Sequence, residues 1–463
     1  MQFPFLLAIL AALVIAENCP PMPADGVLWR SELMILAVAV VVIAAQAISS
    51  VTAVRIRQRP ENSDQILSVS GRWRRMHTVL WIGMVTVVSL GIGWPQIVRF
   101  NWGFNGTFLL DELLILLPVL IPLFLSWIAF YQIERAAYGA RVVTGIPAAR
   151  PAPSLRHFLA LHVRHYLGVM LLPIILLIAA QDAVVLWMPG VVRSGWSAVV
   201  YALPIGLLVL FFPTLLRRLW KTRPLADGEL RERLKAFSTR AGLPVREILV
   251  WETRGVVVNA AVSGWIPGHR YVFLTDGLID RLTSEQVEGV FGHELGHIRR
   301  RHLLLRGLVM LAPLSLLWGL EIVWPESATF SAAISAQLPT TAQLPVAIGT
   351  LVTLASYAYF VFGGYCRLLE SEADLYACRM LETEAPEEAY HIFSSALERL
   401  AMASGVPRDK FTWQHPSIAK RTAFLLRAGE DPSLGQRFER RVRWLNWGLA
   451  LCVIGPAVLA MLV

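Results

Sequence analysis

The chain has 463 residues, of which 56% are hydrophobic and only 16% are charged, and its formal net charge is +9. A composition this apolar excludes an ordinary soluble protein and indicates an integral membrane protein. Because most of the positive charge is arginine in links between apolar segments, we interpret it as a topology signal and expect no binding to nucleic acid. Four cysteines without C-x-x-C spacing argue against a disulfide scaffold and against a cysteine zinc site.

Residues 1–217 are dominated by apolar segments and are predicted to form an N-terminal transmembrane region with about six spans. These segments lie near 3–16, 33–53, 77–96, 108–131, 166–188 and 197–217, and most approach the ~20 residues needed to cross a bilayer. The first is a short retained span or a signal peptide, and the lack of Lys and Arg in MQFPF favours the retained span. The arginine-rich links 54–76 and 132–165 are expected in the cytoplasm by the positive-inside rule.

Residues 218–303 form the first long segment with soluble character. Helical patterning over 227–242 precedes three β-rich runs at 247–251, 256–262 and 271–274, with turn residues between the runs. A helix follows them. A small sheet that leads into a helix indicates an α+β segment on the cytoplasmic side.

The helix at the end of this segment contains the sequence HELGH at 293–297. Positions i and i+4 share one face of a helix, so His293 and His297 can meet one metal ion. Glu294 follows the first histidine, where it can polarise a metal-bound water. Thr283 and Gln286 have the spacing of a capping box and predict where this helix begins.

The remainder of the chain is predicted to return to the membrane twice. Residues 304–365 have the pattern of a transmembrane hairpin whose link, 325–343, lacks Lys and Arg and is expected outside. The charged segment 366–443 therefore lies on the same side as His293, and 444–463 is a final span. The expected fold is a polytopic α-helical membrane protein of about nine spans that carries an α+β protein domain.

A third metal ligand is predicted in the sequence ESEAD at 370–374. Catalytic zinc sites commonly have three protein ligands and a water, and Glu370 is the expected third ligand. Asp374 lies one helical turn further, where it can accept a hydrogen bond from the far nitrogen of a ligand histidine. Glu372 is the runner-up ligand, although its spacing points it to another part of the helix.

These residues resemble the M48 zinc metallopeptidases, the group that contains the CAAX prenyl proteases and the HtpX membrane proteases. The resemblance covers roughly 225–430, and no match is claimed for the first 215 residues. It is carried by four pieces: HELGH at 293–297, ESEAD at 370–374, His415-Pro416 with Arg421 six residues after the histidine, and Asn259-Ala260.

The resemblance implies a zincin-type (gluzincin) domain in which one zinc ion is held by His293, His297 and Glu370. It further implies that Glu294 is the general base and acid. By the same resemblance His415 stabilises the oxyanion, Arg421 supports His415, and the strand of Asn259 binds the substrate backbone as an edge strand.

The expected function is that of an integral membrane zinc endopeptidase whose active site faces the cytoplasm. Its substrates would be membrane or membrane-associated polypeptides, in quality control or in processing. Both an HtpX-like role and a CAAX-like role agree with the sequence, which does not indicate an oligomeric state. The arginine-rich, cysteine-poor composition favours a bacterial inner membrane.

Two other classes of membrane protein have sequence features that differ from those of this chain. An intramembrane protease of the site-2 type would carry HELGH inside an apolar span, whereas here TSEQVEG precedes the motif and RRRH follows it. A membrane scaffold or chaperone that retains the fold would be indicated by loss of Glu294 or of a ligand, and none is lost.

Other polar residues are expected to lie outside the active site. His302 and His269 are expected to be solvated, His162 and His165 to lie at the membrane interface, and Asp182 to mark the outer interface.

Overall fold

The computed structural model describes residues 2–144, 154–255, 257–264, 266–326, 349–350, 352–381 and 385–462. The chain divides into two compact units, Met1–Trp220 and Lys221–Val463. Among the described residues, seven helices are long and apolar enough to cross a membrane. Of the two other predicted spans, the first segment is a helix of only 16 residues, and part of 344–365 lies outside the described residues.

The first unit consists of long apolar helices. They are α1 (Gln2–Glu17), α2 (Val27–Gln58), α3 (Ser63–Thr86), α4 (Leu110–Val143), α5 (Leu155–His162), α6 (Leu172–Trp187) and α7 (Ser197–Leu219). The unit also contains three π-helical stretches, Val87–Ile92, Ile97–Asn101 and Val163–Leu171, and the short turns Pro60–Asn62, Trp94–Gln96 and Pro189–Val192. The carboxylate of Asp182 accepts a hydrogen bond from the backbone N–H of Leu109, the residue before α4, at 3.0 Å.

The second unit contains a mixed four-stranded sheet. Its strands are β1 (Thr222–Pro224), β2 (Glu247–Trp251), β3 (Ala260–Ser263) and β4 (Tyr271–Thr275), in the order β1-β2-β4-β3. The pair β2/β4 is parallel, and the pairs β1/β2 and β3/β4 are antiparallel. Every residue of β4 is buried. In this order the strand β3 lies at an edge of the sheet, and no other strand of the described residues pairs with the far side of its backbone.

The strand in the structure is shorter than the predicted run 256–262. Residues 257–259 have no regular structure, and residue 256 lies outside the described residues. Oδ1 of Asp276 accepts hydrogen bonds from the backbone N–H of Thr253 at 3.1 Å and of Gly255 at 3.2 Å. These bonds tie the chain after β2 to the turn after β4 instead of to a neighbouring strand. The ladder between β3 and β4 consequently begins at Ala260.

The second unit also contains seven helices of more than one turn among the described residues. They are α8 (Glu229–Arg240), α9 (Ser284–Arg299), α10 (His302–Val323), α11 (Gly363–Met380), α12 (Pro386–Ala403), α13 (Ile418–Glu430) and α14 (Pro432–Leu462), with short turns at Pro267–His269 and Asp276–Ile279. Of these helices, α10 and α14 are long and apolar enough to cross a membrane. The π-helical stretch Tyr357–Phe362 runs directly into α11. The second arm of the predicted hairpin thus continues into the helix that carries Glu370.

The helix α9 begins as its sequence predicts. Oγ1 of Thr283 accepts a hydrogen bond from the backbone N–H of Gln286, and the side chain of Gln286 accepts one from the backbone N–H of Thr283. The apolar face of α9 packs into the core beside the sheet, where Phe291 meets Phe237 edge to face at 5.8 Å between ring centroids.

Glycine on α9 allows a close approach to α11. A Cβ atom at Gly296 would lie 3.2 Å from Cα of Ala373, and one at Gly292 would lie 3.4 Å from Cα of Ala377. The backbones of the two helices therefore pack more closely than larger side chains permit. This packing brings the residues of α11 next to the HELGH residues.

Candidate metal centre

Three side chains from α9 and α11 converge in the second unit. The potential ligand atoms of His293, His297 and Glu370 all lie within 4.8 Å of one another. Nε2 of His293 is 3.1 Å from Nε2 of His297, and Glu370 oxygens lie 3.4 Å and 3.6 Å from these two nitrogens. The carboxylate of Glu370 is only 2% exposed.

This donor set fits a divalent metal ion. Two imidazole nitrogens that face each other, with a buried carboxylate beside both, are the ligands of His₂Glu catalytic zinc sites. The carboxylate supplies negative charge where a cation would lie, and the spacing on α9 aims both rings at one point. The three residues are therefore suited to hold a metal, and zinc is the ion that this donor set most often binds.

Asp374 and Arg421 form a buried pair behind His293. Oδ1 of Asp374 lies 2.8 Å from Nδ1 of His293, and Arg421 donates to both carboxylate oxygens, at 2.8 Å and 2.5 Å. Burial alone would raise the pKa of Asp374, but the charge of Arg421 and the contact with His293 lower it below its usual value. Asp374 therefore stays ionised and holds His293 with Nε2 toward the centre. The contacts of Arg421 are with Asp374, whereas the resemblance places Arg421 in support of His415.

Glu370 has two further partners. Nη2 of Arg306 donates to Oε1 at 2.9 Å, and Nδ1 of His415 lies 3.0 Å from Oε2. Burial would raise the pKa of Glu370, but its contacts with His293 and His415 hold it well below the usual range. Arg306 was missed by the sequence reasoning. The sequence feature that points to Arg306 is its position near the start of an apolar span. A charged residue in a membrane segment costs free energy, and such a residue therefore often has a functional role.

The side chain of Glu294, a residue of α9, contacts the edge strand β3. It accepts a hydrogen bond from the backbone of Val262 in β3, and burial raises the pKa of Glu294 to about 7. A carboxyl group with a pKa near neutrality is suited to both accept and return a proton. Asn259 is exposed just before β3, and its backbone N–H donates to Oγ1 of Thr275 at 3.0 Å.

His415 reaches the centre from a loop. Its side chain is 52% exposed, and its backbone N–H donates to Oγ1 of Thr412 at 2.9 Å. The structure thus brings His293, His297 and Glu370 together with three of the other predicted site residues. These are Glu294, Asp374 and His415, and Arg421 joins them through Asp374.

The expectation that His302 is solvated is wrong, because its side chain is 1% exposed. Nδ1 of His302 lies 2.8 Å from Nδ1 of His297, and Nε2 lies 3.2 Å from Oε2 of Glu372. The cause is a sharp break at Arg301, whose backbone is left-handed with φ 56°. This break turns the chain so that His302 folds back against His297.

Comparison with known proteins supports the resemblance. Residues 224–428, somewhat less than half of the chain, match the family model described as Peptidase family M48. Over this stretch the chain is similar to peptidase family M48. The predicted resemblance to this family is therefore confirmed.

Part of the chain is similar to proteins named protease HtpX homolog. That of Pelotomaculum thermopropionicum is 28% identical over 137 residues, which cover 28% of this chain and 48% of the relative. That of Methanocaldococcus jannaschii is 32% identical over 98 residues, 19% of this chain and 34% of the relative. That of Syntrophobacter fumaroxidans is 27% identical over 159 residues, 31% of this chain and 55% of the relative. The chain thus spans about half or less of the length of these M48 relatives.

The similarity in fold extends beyond the M48 part. The crystal structure of S. mikatae Ste24p matches with a TM-score of 0.51 at 16% identity, and the match covers 88% of this chain and 100% of that one. Together with the seven apolar helices and the small mixed sheet, this likeness confirms the predicted fold class. The protein is an integral membrane protein of mostly helical architecture with an M48 domain.

Proposed function

We propose that this protein is a membrane-bound zinc endopeptidase that hydrolyses peptide bonds in membrane or membrane-associated proteins. The observation that carries the proposal is the convergence of His293, His297 and Glu370, with the carboxylate of Glu294 on the next residue of the same helix. Family M48 and the protease names of its relatives support the same activity.

The residues around the centre have different roles in the proposed hydrolysis. A zinc ion held by His293, His297 and Glu370 would supply Lewis acidity, which lowers the pKa of water to about 7. Glu294 accepts the proton of the attacking water and delivers it to the leaving amine, for which its pKa of about 7 is well placed. His415, on its exposed loop, is available to donate a hydrogen bond to the oxyanion that develops on the scissile carbonyl.

The edge strand β3 supplies a binding site for an extended polypeptide. Its free side can pair with a substrate backbone by β-augmentation, which gives affinity with little sequence selectivity. The backbone contact between Val262 and Glu294 brings this strand next to the catalytic carboxylate. We assign Asn259, exposed at the start of β3, to the same substrate-binding role.

The location of the site favours cleavage at a membrane surface. The helix α9 is not among the apolar helices long enough to span a bilayer, which weighs against the site-2 type of intramembrane protease. The helix α10 begins three residues after α9 ends. We place the active site on the cytoplasmic face of a bacterial inner membrane. There the protein would act in the quality control or the processing of membrane proteins.

Cleavage by the purified full-length protein tests this function. With zinc and an unfolded membrane protein as substrate, we expect cleavage that a chelator abolishes and added zinc restores. Glu294→Gln is expected to lower the cleavage rate by about 100- to 10,000-fold, because it removes the general base, while zinc stays stoichiometric.

The matched control is Glu285→Gln, a change of the same kind in the first turn of the same helix, which is expected to retain full activity. Cleavage by Glu294→Gln at the parental rate would refute the mechanism. Stoichiometric zinc in the parent without any cleavage would support the scaffold instead.

A further inference from the structure

Two buried polar side chains lie on the side of His297 that faces away from the metal centre. His302 is 1% exposed and Glu372 is 5% exposed, and neither belongs to the ligand set. A polar group in such a position costs free energy unless it has a partner. Their contacts therefore need an explanation.

The contacts form a single chain from a ligand to a carboxylate. Nδ1 of His297 is 2.8 Å from Nδ1 of His302, and Nε2 of His302 is 3.2 Å from Oε2 of Glu372. The other nitrogen of His297, Nε2, is the one that faces His293 and Glu370. The two nitrogens of His297 thus serve two different purposes.

The distances determine where the protons lie once His297 binds a metal. A ligand nitrogen presents a lone pair, so the single proton of a neutral His297 must be on Nδ1. Nδ1 of His302 then accepts that proton's hydrogen bond, and the remaining proton of His302 is on Nε2. This proton donates to the carboxylate of Glu372, so every nitrogen of both rings has a partner.

The backbone is built to produce this arrangement. Arg301, with φ 56° and ψ 35°, separates α9 from α10, and this left-handed backbone conformation is strained for a residue other than glycine. On α11, Glu372 is two residues from both Glu370 and Asp374, so it points to a different part of the helix surface. One helix therefore supplies a carboxylate for each histidine: Asp374 for His293, and Glu372 for His297 through His302.

We propose that His302 and Glu372 are positioning residues that fix the tautomer and ring orientation of His297 as a metal ligand. Such outer partners hold a ligand histidine in place and raise its basicity. The inference rests on the zinc centre of the proposed function.

Zinc affinity of the full-length protein in detergent tests the proposal. It is measured by competition with a chromophoric chelator, together with the visible spectrum of the cobalt-substituted protein and the thermal midpoint of the metal-free protein. His302→Leu is expected to weaken zinc binding by about 10- to 100-fold and to change the cobalt spectrum. Glu372→Gln is expected to weaken zinc binding by a smaller factor, because an amide oxygen can still accept from His302.

A second substitution separates positioning from packing. His302→Asn places an amide oxygen close to the position of Nδ1, where it can accept the hydrogen bond of His297, and should recover most of the zinc affinity. If His302 served only to fill space, the zinc affinities would have the opposite order. The affinity of the bulkier variant His302→Leu would then be closer to that of the parent than the affinity of His302→Asn. If His302→Leu fails to fold, Glu372→Leu still decides, because it removes the acceptor of His302 Nε2: weaker zinc binding is expected, and parental affinity would overturn the inference.

The matched control is Glu288→Gln, which alters another buried carboxylate of this unit. Glu288 binds Arg233 at 2.8 Å, away from His302 and Glu372, and the zinc affinity of this variant should equal that of the parent. Parental zinc affinity in both His302→Leu and Glu372→Gln would overturn this inference alone. A parent that binds no zinc would overturn the proposed function and this inference together.

Discussion

At the scale of the residue, the three acidic side chains of α11 have three different tasks. Glu370 faces the centre, Asp374 contacts His293, and Glu372 contacts His302. Each is buried, and each has a cationic or hydrogen-bonding partner that offsets the cost of removing a charge from water. Spacing on one helix therefore produces both the ligand and the residues that hold the two histidines.

The Asp374–Arg421 pair yields a prediction about stability. Arg421→Met leaves the carboxylate of Asp374 buried without its cation, and Asp374 is 1% exposed. Loss of one partner of a buried pair typically costs about 3 to 5 kcal/mol. We expect a clearly lower thermal midpoint of the metal-free protein, and weaker zinc binding because His293 loses its support.

The exposed pair Arg437–Asp431 is the control for this prediction. Its side chains are 64% and 53% exposed, and exposed pairs contribute at most about 1 kcal/mol. Arg437→Met should leave the thermal midpoint nearly unchanged. Equal midpoints for Arg421→Met and Arg437→Met would show that the buried pair does not stabilise the domain.

At the scale of the element, the distance between α9 and α11 sets the geometry of the centre. Two of the proposed ligands are on α9 and the third is on α11, so a small displacement between these helices moves Glu370 away from His293. Gly296 permits the close approach, because a Cβ atom there would be 3.2 Å from Cα and 3.3 Å from the backbone oxygen of Ala373. A backbone neighbour cannot rotate away as a side chain can.

Gly296→Val is expected to push the two helices apart. The result should be weaker zinc binding and a lower thermal midpoint, measured on the full-length protein by chelator competition and thermal unfolding. Gly307→Val in α10 is the control, because a Cβ atom there has nothing within 4 Å. Parental zinc affinity in Gly296→Val would mean that helix spacing does not determine the centre.

At the scale of the whole molecule, the order of the spans predicts the side on which the centre lies. The link near Glu61 is arginine-rich, and the number of predicted spans between it and Asp409 is even. The positive-inside rule therefore predicts that both residues are cytoplasmic and that Asn105, between α3 and α4, is outside.

This topology is tested by introducing one additional cysteine at a time and labelling intact cells with a membrane-impermeant maleimide. The positions are exposed ones: Asn105→Cys should be labelled, whereas Glu61→Cys and Asp409→Cys should be labelled only after the cells are opened. The parent is the control for reaction at its own four cysteines. Labelling of Asp409→Cys in intact cells would place the centre on the opposite side of the membrane.

The elements that follow from local pattern could be predicted from the sequence. The capping box at Thr283 and the periodicity of the following residues predicted α9, and the structure shows the same first turn. The i and i+4 spacing on two helices predicted that His293, His297, Glu370 and Asp374 face common partners. Strand β1 was missed because three residues that include Pro224 carry no alternating pattern.

The apolar spans, the HELGH helix and the carboxylates of α11 can be predicted from the amino-acid sequence, because each depends on spacing within one helix. The partners of Arg306, His302 and Glu372 become known only from the folded structure. These partners depend on a left-handed turn at Arg301 and on the close packing of α9 against α11. Neither feature has a periodic signal, since both arise from contacts between residues that are distant in the sequence.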